Sequence, residues 1–164
     1  MAHPFDLAPM PGPSDFIFMP CPGTKGEPLS DSLAQIKAAG AVGVVSMLSD
    51  EELEFLQVPS FGEACKALNL SWYQLPVEDD CAPETAFFEA FDHHKKALMA
   101  HMDAGETLAI HCRGGTGRTG LMAAILLLER NQTWPDVKAS IQSVRPKALT
   151  LTPHVEYLKT HYKL

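Results

Sequence analysis

Residues 107–129 read TLAIHCRGGTGRTGLMAAILLLE and contain three successive patterns. The first five residues are typical of a buried strand. The apolar run that begins at residue 121 predicts a buried helix from about Gly117 to about Arg130, too short to span a bilayer. The glycine-rich segment between them predicts a tight turn from the strand into the N-terminus of that helix. We interpret the rest of the chain around this strand–loop–helix unit.

Strands and helices alternate through the remainder of the 164 residues. Apolar, β-branched runs predict strands, whereas capping residues and helical spacing of apolar residues predict helices. Strands are expected at 15–20, as a short edge strand, and at 41–48, 70–77 and 107–111; helices are expected at 29–40, 59–69, 85–103 and in two C-terminal segments. The alternation predicts one α/β domain over residues 15–164 with a mostly parallel sheet, after an irregular, proline-rich lead-in over residues 1–14.

Composition and charge restrict the function. The formal net charge of −7 gives no general electrostatic attraction to nucleic acid or to an acidic membrane surface. The four cysteines show neither a CxxC pair nor a zinc spacing, so no metal site is expected. The N-terminus lacks the basic and apolar runs of a signal peptide. We therefore expect a monomeric cytoplasmic protein without a cofactor, a nucleic-acid partner or a membrane partner.

The glycine-rich turn has the composition of a phosphate-binding loop. Glycines allow unusual dihedral angles and a close backbone approach to an anion, and the following helix N-terminus carries partial positive charge. Arg118 can place its guanidinium fork on two oxygens of the same anion. The residues expected to contact the phosphate are Arg113, Gly114, Gly115, Thr116, Gly117 and Arg118.

Cys112 lies at the start of this turn, where the same groups favour its thiolate. A thiolate there can attack a bound phosphoryl group and form a phosphocysteine intermediate. The hydroxyl of Thr119 can donate a hydrogen bond to the sulfur and make it a better leaving group in the second step. The alternative interpretation, a structural cysteine beside an ordinary turn, does not explain the arginine or the placement between a strand and a helix.

The segment HCRGGTGRTG, residues 111–120, resembles the signature of the cysteine-dependent protein tyrosine and dual-specificity phosphatases. The wider chain is similar to the cyclin-dependent-kinase-associated phosphatase branch and its bacterial relatives. The resemblance implies a central sheet of four to five strands flanked by helices on both sides, with no metal. It also implies hydrolysis of phosphotyrosine, and of phosphothreonine or phosphoserine, in proteins.

A general acid is needed to protonate the leaving oxygen. The loop VEDDCAPE, residues 77–84, offers Glu78, Asp79 and Asp80. The resemblance assigns the acid to Asp79, by alignment on the following proline, and leaves Asp80 as the alternative. His111 is expected to order the cysteine turn through hydrogen bonds. The late segment, where many relatives carry a water-positioning glutamine, has none, and His154 is only a weak substitute.

Alternative functions remain open at this stage. Arg113 inside the turn is compatible with a phosphatase for phosphoinositides or other small phosphoesters, and a non-catalytic phosphate-binding module is a third class. We expect a pocket of shallow to intermediate depth, with walls from the 77–84 loop, the turn at 20–26 and the region of Lys147. Such a pocket favours phosphotyrosine over phosphothreonine. Arg113 and Lys147 also suggest tolerance for acidic residues near the phosphate.

Overall fold

The structure, a computed structural model, describes residues 2–164. A five-stranded sheet forms its centre, in the order β1-β2-β5-β3-β4. The strands are β1 (Asp6–Ala8), β2 (Phe16–Met19), β3 (Ala41–Ser46), β4 (Ser71–Gln74) and β5 (Thr107–His111). All neighbouring pairs are parallel except β1 with β2, which is antiparallel. The predicted α/β class and mostly parallel sheet of four to five strands are confirmed.

The helices pack in groups against this sheet. They are α1 (Leu29–Ala38), α2 (Asp50–Phe55), α3 (Phe61–Ala67), α4 (Thr85–Asp103), α5 (Gly117–Glu129), α6 (Trp134–Val144) and α7 (Thr152–Tyr162). Helices α1 and α3 contact each other and strands β3 and β4, whereas α5, α6 and α7 associate beside β1, β2 and β5. Each connection between parallel strands passes through helices, as parallel pairing requires.

The N-terminal region differs from its expected structure. Within residues 1–14, expected to be irregular, Asp6–Ala8 forms a strand that pairs with β2. Because β1 covers that side, residues 15–20 do not form an edge strand: β2 lies between β1 and β5, and all four of its residues are buried. The run FIFM is apolar without alternation because both faces of this strand are covered.

Strand β5 and helix α5 form the buried axis of the molecule. The last four residues of β5 are buried, and α5 is buried from Arg118 to Leu128. The predicted buried helix therefore begins where expected, at Gly117, and ends one residue early. The turn between β5 and α5 lies at the carboxyl edge of the parallel strands, where α/β proteins form their ligand sites. No helix in residues 2–164 combines the length and the apolar character needed to cross a membrane.

Candidate active site

The sulfur of Cys112 lies inside the turn between β5 and α5, which we call the cysteine loop (residues 112–118). The backbone N–H of Gly115 and the hydroxyl of Thr119 each donate a hydrogen bond to Sγ over 3.2 Å. Cys112 is only 4% exposed. Two donors on one buried sulfur stabilise negative charge there, because a hydrogen bond to the charged form favours it.

The close approach in the cysteine loop requires one glycine above all. Gly115 has φ +87°, and a Cβ there would lie 2.6 Å from the carbonyl carbon of Met19 at the end of β2. Both facts exclude a side chain. A Cβ on Gly114 would meet nothing within 4 Å, and Gly117 begins α5 without a positive φ. The expectation that all three glycines serve unusual dihedral angles is therefore wrong for Gly114 and Gly117.

His111 is held in a buried hydrogen-bond chain behind the loop. The indole N–H of Trp72 donates to Oγ of Ser46 over 2.8 Å, and that hydroxyl lies 2.6 Å from Nε2 of His111. A carbonyl can only accept, so Nδ1, which faces the Cys112 carbonyl, carries the ring proton, and the Ser46 hydroxyl donates to Nε2. Nδ1 donates to the carbonyl of Cys112 over 3.0 Å. Burial lowers the pKa of His111 to about 4, so the ring is neutral.

Arg118 lies at the first turn of α5 with a side chain only 1% exposed. Its Nη1 donates to Glu52 over 2.6 Å and to the carbonyl of Val77 over 3.0 Å. Burial disfavours the charged form, but the hydrogen bond and charge of Glu52 outweigh it and raise the pKa of Arg118. Nε has no hydrogen-bond partner in the described chain. The guanidinium is thus fixed on one side and retains a buried donor for an anion.

The acidic loop (residues 78–84) brings one of its candidate acids to this guanidinium. Oδ1 of Asp79 lies 3.5 Å from Nε of Arg118, and the Asp79 side chain is 67% exposed. Neither Glu78 nor Asp80 forms an ion pair with Arg118 within residues 2–164. Asp80 instead has a left-handed backbone, with φ +61°, and an exposed side chain. The geometry therefore places Asp79, and not Asp80, in an ion pair with the Arg118 guanidinium.

His154, the weak substitute named from the sequence, is buried beside the cysteine loop. It is 1% exposed, and its Cε1 would lie 4.0 Å from a Cβ on Gly117. Neither ring nitrogen has a hydrogen-bond partner in the part of the chain that the structure describes. Burial lowers the pKa of His154, and this effect outweighs a backbone interaction with Cys81 and the charge of Asp80, which act in the opposite direction. A neutral imidazole whose two ring nitrogens make no hydrogen bond therefore lies at the site.

Three residues that support the loop escaped the sequence analysis. Glu52 lies three residues after Ser49, the spacing of a capping box; its backbone N–H donates to Ser49 Oγ, and its carboxylate accepts from Arg118. Arg145, after α6, donates from Nε to the carbonyl of Gly115 over 2.9 Å and forms an ion pair with Asp6. Ser46 ends β3 beneath His111. No local sequence motif predicts these contacts. For Glu52, the capping-box spacing at the start of α2 is the one sequence feature that could have drawn attention to its carboxylate.

A cleft of about 670 Å³ opens beside the cysteine loop. Its walls come from α2, the segment between β4 and α4, the start of α4, and Arg113. The apolar part of the lining consists mainly of Phe55, Pro76, Val77 and Phe87. Of the expected walls, the loop at residues 77–84 lines this cleft, and α2 is an additional one. The turn at residues 20–26 and Lys147 lie outside its lining, as do Cys112 and Arg118. No cluster of three metal-binding side chains occurs within the described residues.

Comparison with known proteins identifies similar chains. Residues 25–160 match the family described as PTP-SAK, the Swiss Army Knife protein DSP-PTPase phosphatase domain. A kinase-associated phosphatase with its catalytic-site cysteine changed to serine has a similar structure, with a TM-score of 0.84 at 18% identity over 100% of this chain and 97% of that chain. Tk-PTP in its active form gives 0.71 at 21% identity over 96% of both chains. PTPMT1 in complex with PI(5)P gives 0.69 at 18% identity over 96% of both chains.

Proposed function

The chain belongs to the PTP-SAK family of DSP-PTPase domains and is a cysteine-dependent phosphatase; on that basis we propose that it hydrolyses phosphotyrosine in proteins, and phosphothreonine or phosphoserine more slowly, through a phosphocysteine intermediate. The observation that carries this proposal is the environment of the Cys112 sulfur. It accepts two hydrogen bonds within a loop whose arginine has a buried Nε that makes no hydrogen bond and lies 3.5 Å from the Asp79 carboxylate. This arrangement suits a thiolate facing a phosphoryl dianion.

In the first step, the Cys112 thiolate attacks phosphorus and the bond to the substrate oxygen breaks. Arg118 and the backbone N–H groups of residues 113–118 hold the phosphoryl oxygens, where charge is stabilised most effectively by fixed donors. Asp79 gives its proton to the leaving oxygen, and its position beside Arg118 supports this assignment over Asp80. The leaving tyrosine or serine is released as a neutral alcohol.

In the second step, water attacks phosphorus and the phosphorus–sulfur bond breaks. Asp79, now a carboxylate, accepts a proton from that water. The Thr119 hydroxyl, 3.2 Å from Sγ, stabilises the departing thiolate. We assign His154 to positioning the attacking water, since its two ring nitrogens are buried beside the loop without partners among residues 2–164. His111 and Arg145 hold the loop carbonyls and do not contact the phosphate.

Phosphotyrosine is proposed as the better substrate because of the cleft beside the loop. The exposed ring of Phe55 in its lining can contact an aromatic ring, whereas a phosphothreonine methyl group buries much less surface. The alternative substrate class is phosphoinositides or other small phosphoesters. Arg113 favours this class, because this cation of the cysteine loop lines the cleft. PTPMT1, whose structure is similar, forms a complex with PI(5)P.

The test is a metal-free assay with p-nitrophenyl phosphate, matched phosphotyrosine and phosphothreonine peptides, and a soluble phosphoinositide. We expect turnover that EDTA does not reduce, with kcat/KM highest for the phosphotyrosine peptide. Cys112→Ser should abolish turnover, and mass spectrometry of acid-quenched wild-type reactions should find phosphate on Cys112. Full activity of Cys112→Ser would refute the nucleophile, and a phosphoinositide preferred over both peptides would replace the substrate class.

A further inference from the structure

The cleft beside the cysteine loop carries far more negative than positive charge. Five carboxylates line it, from Glu51, Glu52, Glu78, Asp79 and Glu84, against the single lining cation Arg113. For a pocket that serves a phosphorylated substrate this is an unexpected sign. The negative charge of the lining therefore indicates which substrate residues, next to the phosphorylated one, the cleft can bind.

Two of these carboxylates are already engaged, and three are not. Glu52 and Asp79 face Arg118 at 2.6 Å and 3.5 Å. The remaining acids, Glu51, Glu78 and Glu84, are exposed, and no Lys, Arg or His within residues 2–164 pairs with them. They are also too dispersed to make a group of three metal ligands in the described chain. A spread of unpaired carboxylates around an open cleft suits an extended cationic side chain.

The inner end of the same cleft requires the opposite charge. Glu52, Val77 and Asp79, which line it, all lie against the Arg118 guanidinium. Its buried Nε makes no hydrogen bond in the described chain and faces the exposed Asp79 carboxylate at 3.5 Å. That donor indicates an anionic group bound next to the cysteine loop. The matching ligand is negative where it meets Arg118 and positive where it meets the exposed carboxylates of the cleft.

The positive charge of Arg113 does not neutralise the exposed carboxylates of the cleft. Its guanidinium lies over the ring of Phe55, 5.8 Å from the ring centroid, at the side of the cleft formed by α2. Phe55 is 74% exposed, although it is a large apolar side chain. An exposed aromatic ring among carboxylates is the combination that binds Lys and Arg side chains, through charge and through the face of the ring.

We propose that this acidic cleft is a recognition site for a Lys or Arg residue near the phosphorylated residue, so that the enzyme selects phosphopeptides with basic neighbours. The proposal rests on the proposed phosphatase function and specifies its substrate. It reverses the expectation that Arg113 and Lys147 favour acidic neighbours. The same carboxylates repel the additional phosphates of a phosphoinositide headgroup, so that the cleft disfavours this alternative substrate class.

The test compares three phosphotyrosine peptides that differ only in flanking residues, which are Lys and Arg, Ala, or Glu. We expect kcat/KM for the basic peptide to exceed that for the acidic peptide by about 10-fold, since three exposed charge pairs each contribute a factor of a few. The ratio should shrink as salt is raised from about 20 to about 500 mM, because salt screens exposed charges. This measurement needs no variant and so cannot fail through misfolding.

A triple variant, Glu51→Gln, Glu78→Gln and Glu84→Gln, removes the three exposed negative charges of the cleft and tests whether these residues cause the preference. We expect its basic-to-acidic ratio to fall to about one. Glu54→Gln, on the outer side of the same helix and away from the cleft lining, is the matched control and should keep the wild-type ratio. An unchanged ratio in the triple variant would overturn the proposal, as would a wild-type preference for acidic peptides or for a soluble phosphoinositide.

Failure of this inference is distinguishable from failure of the proposed function. p-Nitrophenyl phosphate has no flanking residues and reports only the chemistry at Cys112. If wild-type protein hydrolyses it and the peptides show no charge preference, the recognition site is refuted and the phosphatase stands. If wild-type protein hydrolyses neither this substrate nor any peptide, both proposals are refuted.

Discussion

The cysteine loop and the acidic loop contribute to the same site but are held in different ways. Three carbonyls in or next to the cysteine loop accept hydrogen bonds from distant parts of the fold: those of His111, Arg113 and Gly115 accept from Met47, Cys21 and Arg145. The Cys112 carbonyl accepts from the ring of its neighbour His111. In the acidic loop, Glu78, Asp79 and Asp80 are exposed, and the nearest backbone bond is a local turn from Cys81 to Glu78.

The difference corresponds to the two tasks. A nucleophile and an anion clamp work best in a rigid, water-poor environment, so their loop is fixed from outside by buried hydrogen bonds. A proton donor that exchanges with water in the second step needs access to solvent, so its loop is open. We therefore expect changes in the cysteine loop to affect all substrates alike. Changes in the acidic loop should depend on the leaving group.

The largest effect is expected for Arg118→Lys. A lysine ammonium cannot donate in a fork, and it loses the bond geometry to Glu52 and Val77. We expect kcat/KM to fall about 10³-fold for aryl phosphates with good and poor leaving groups alike. Steady-state kinetics on both substrates measure this, with circular dichroism as the check on folding. A loss that depended strongly on the leaving group would contradict the expectation that changes in the cysteine loop affect all substrates alike.

Asp79→Asn should affect poor leaving groups most. Phenyl phosphate, whose leaving oxygen must be protonated, should lose about 10²-fold in kcat/KM, and p-nitrophenyl phosphate should lose only a few-fold. The matched control is Asp80→Asn in the same loop, which we expect to remain near wild type because Asp80 has no ion pair with Arg118 within the described residues. Should Asp80→Asn alone show the leaving-group dependence, the acid would be Asp80.

Acidification should weaken the buried support of the cysteine loop. The pKa of His111 is about 4 in the folded protein against an ordinary value near 6.5. Between these values the unfolded chain binds more protons, so stability falls as the pH falls from about 6.5 to about 4, by about 3 kcal/mol from this residue. Burial also lowers the pKa values of His3 and His154, and both add to this loss.

Urea unfolding at pH 7 and at pH 4.5 measures that loss. His111→Asn should reduce the difference in unfolding free energy between the two pH values. An equal pH dependence in wild type and His111→Asn would show that His111 does not titrate as the buried chain of hydrogen bonds requires.

Glu52→Gln tests how firmly the guanidinium must be oriented. Glutamine retains an oxygen acceptor for Arg118 but removes the charge that raises its pKa. We expect about a 10-fold loss in kcat with every substrate, because the Arg118 guanidinium is less firmly oriented and binds the transition state less well. Glu54→Gln on the same helix is the control. Leaving-group dependence in Glu52→Gln would instead place Glu52 among the proton donors.

The smallest effect is expected for His154→Ala, in the hydrolysis of the intermediate. Loss of the ring that positions water should slow the second step about fivefold and leave the first step unchanged. Rapid-quench kinetics would then show a burst of phenolate followed by slower turnover. His154→Gln, which retains a donor and an acceptor, should recover part of the rate. Absence of a burst in His154→Ala would remove this residue from the second step.

The fold class and family followed from local patterns in the sequence. Buried strands and helices are encoded by runs and spacings within about ten residues, so β5 and the start of α5 were predicted correctly. The strand Asp6–Ala8 was missed because three residues in a proline-rich segment form a strand only when β2 is beside them. Its pairing depends on the partner strand more than on intrinsic propensity.

The sequence by itself determined the family, together with the candidate nucleophile, anion clamp and loop, since these residues lie within one short segment whose chemistry is local. Tertiary structure alone decided which groups surround them. Glu52 reaches Arg118 across 66 positions, and Ser46 reaches His111 across 65. It also placed Asp79, which the resemblance had favoured over Asp80, in an ion pair with Arg118, and it brought the carboxylates of the cleft together. Hydrogen bonds and charge pairs act over a few ångströms of space, whatever the separation along the chain, so only the folded backbone specifies them.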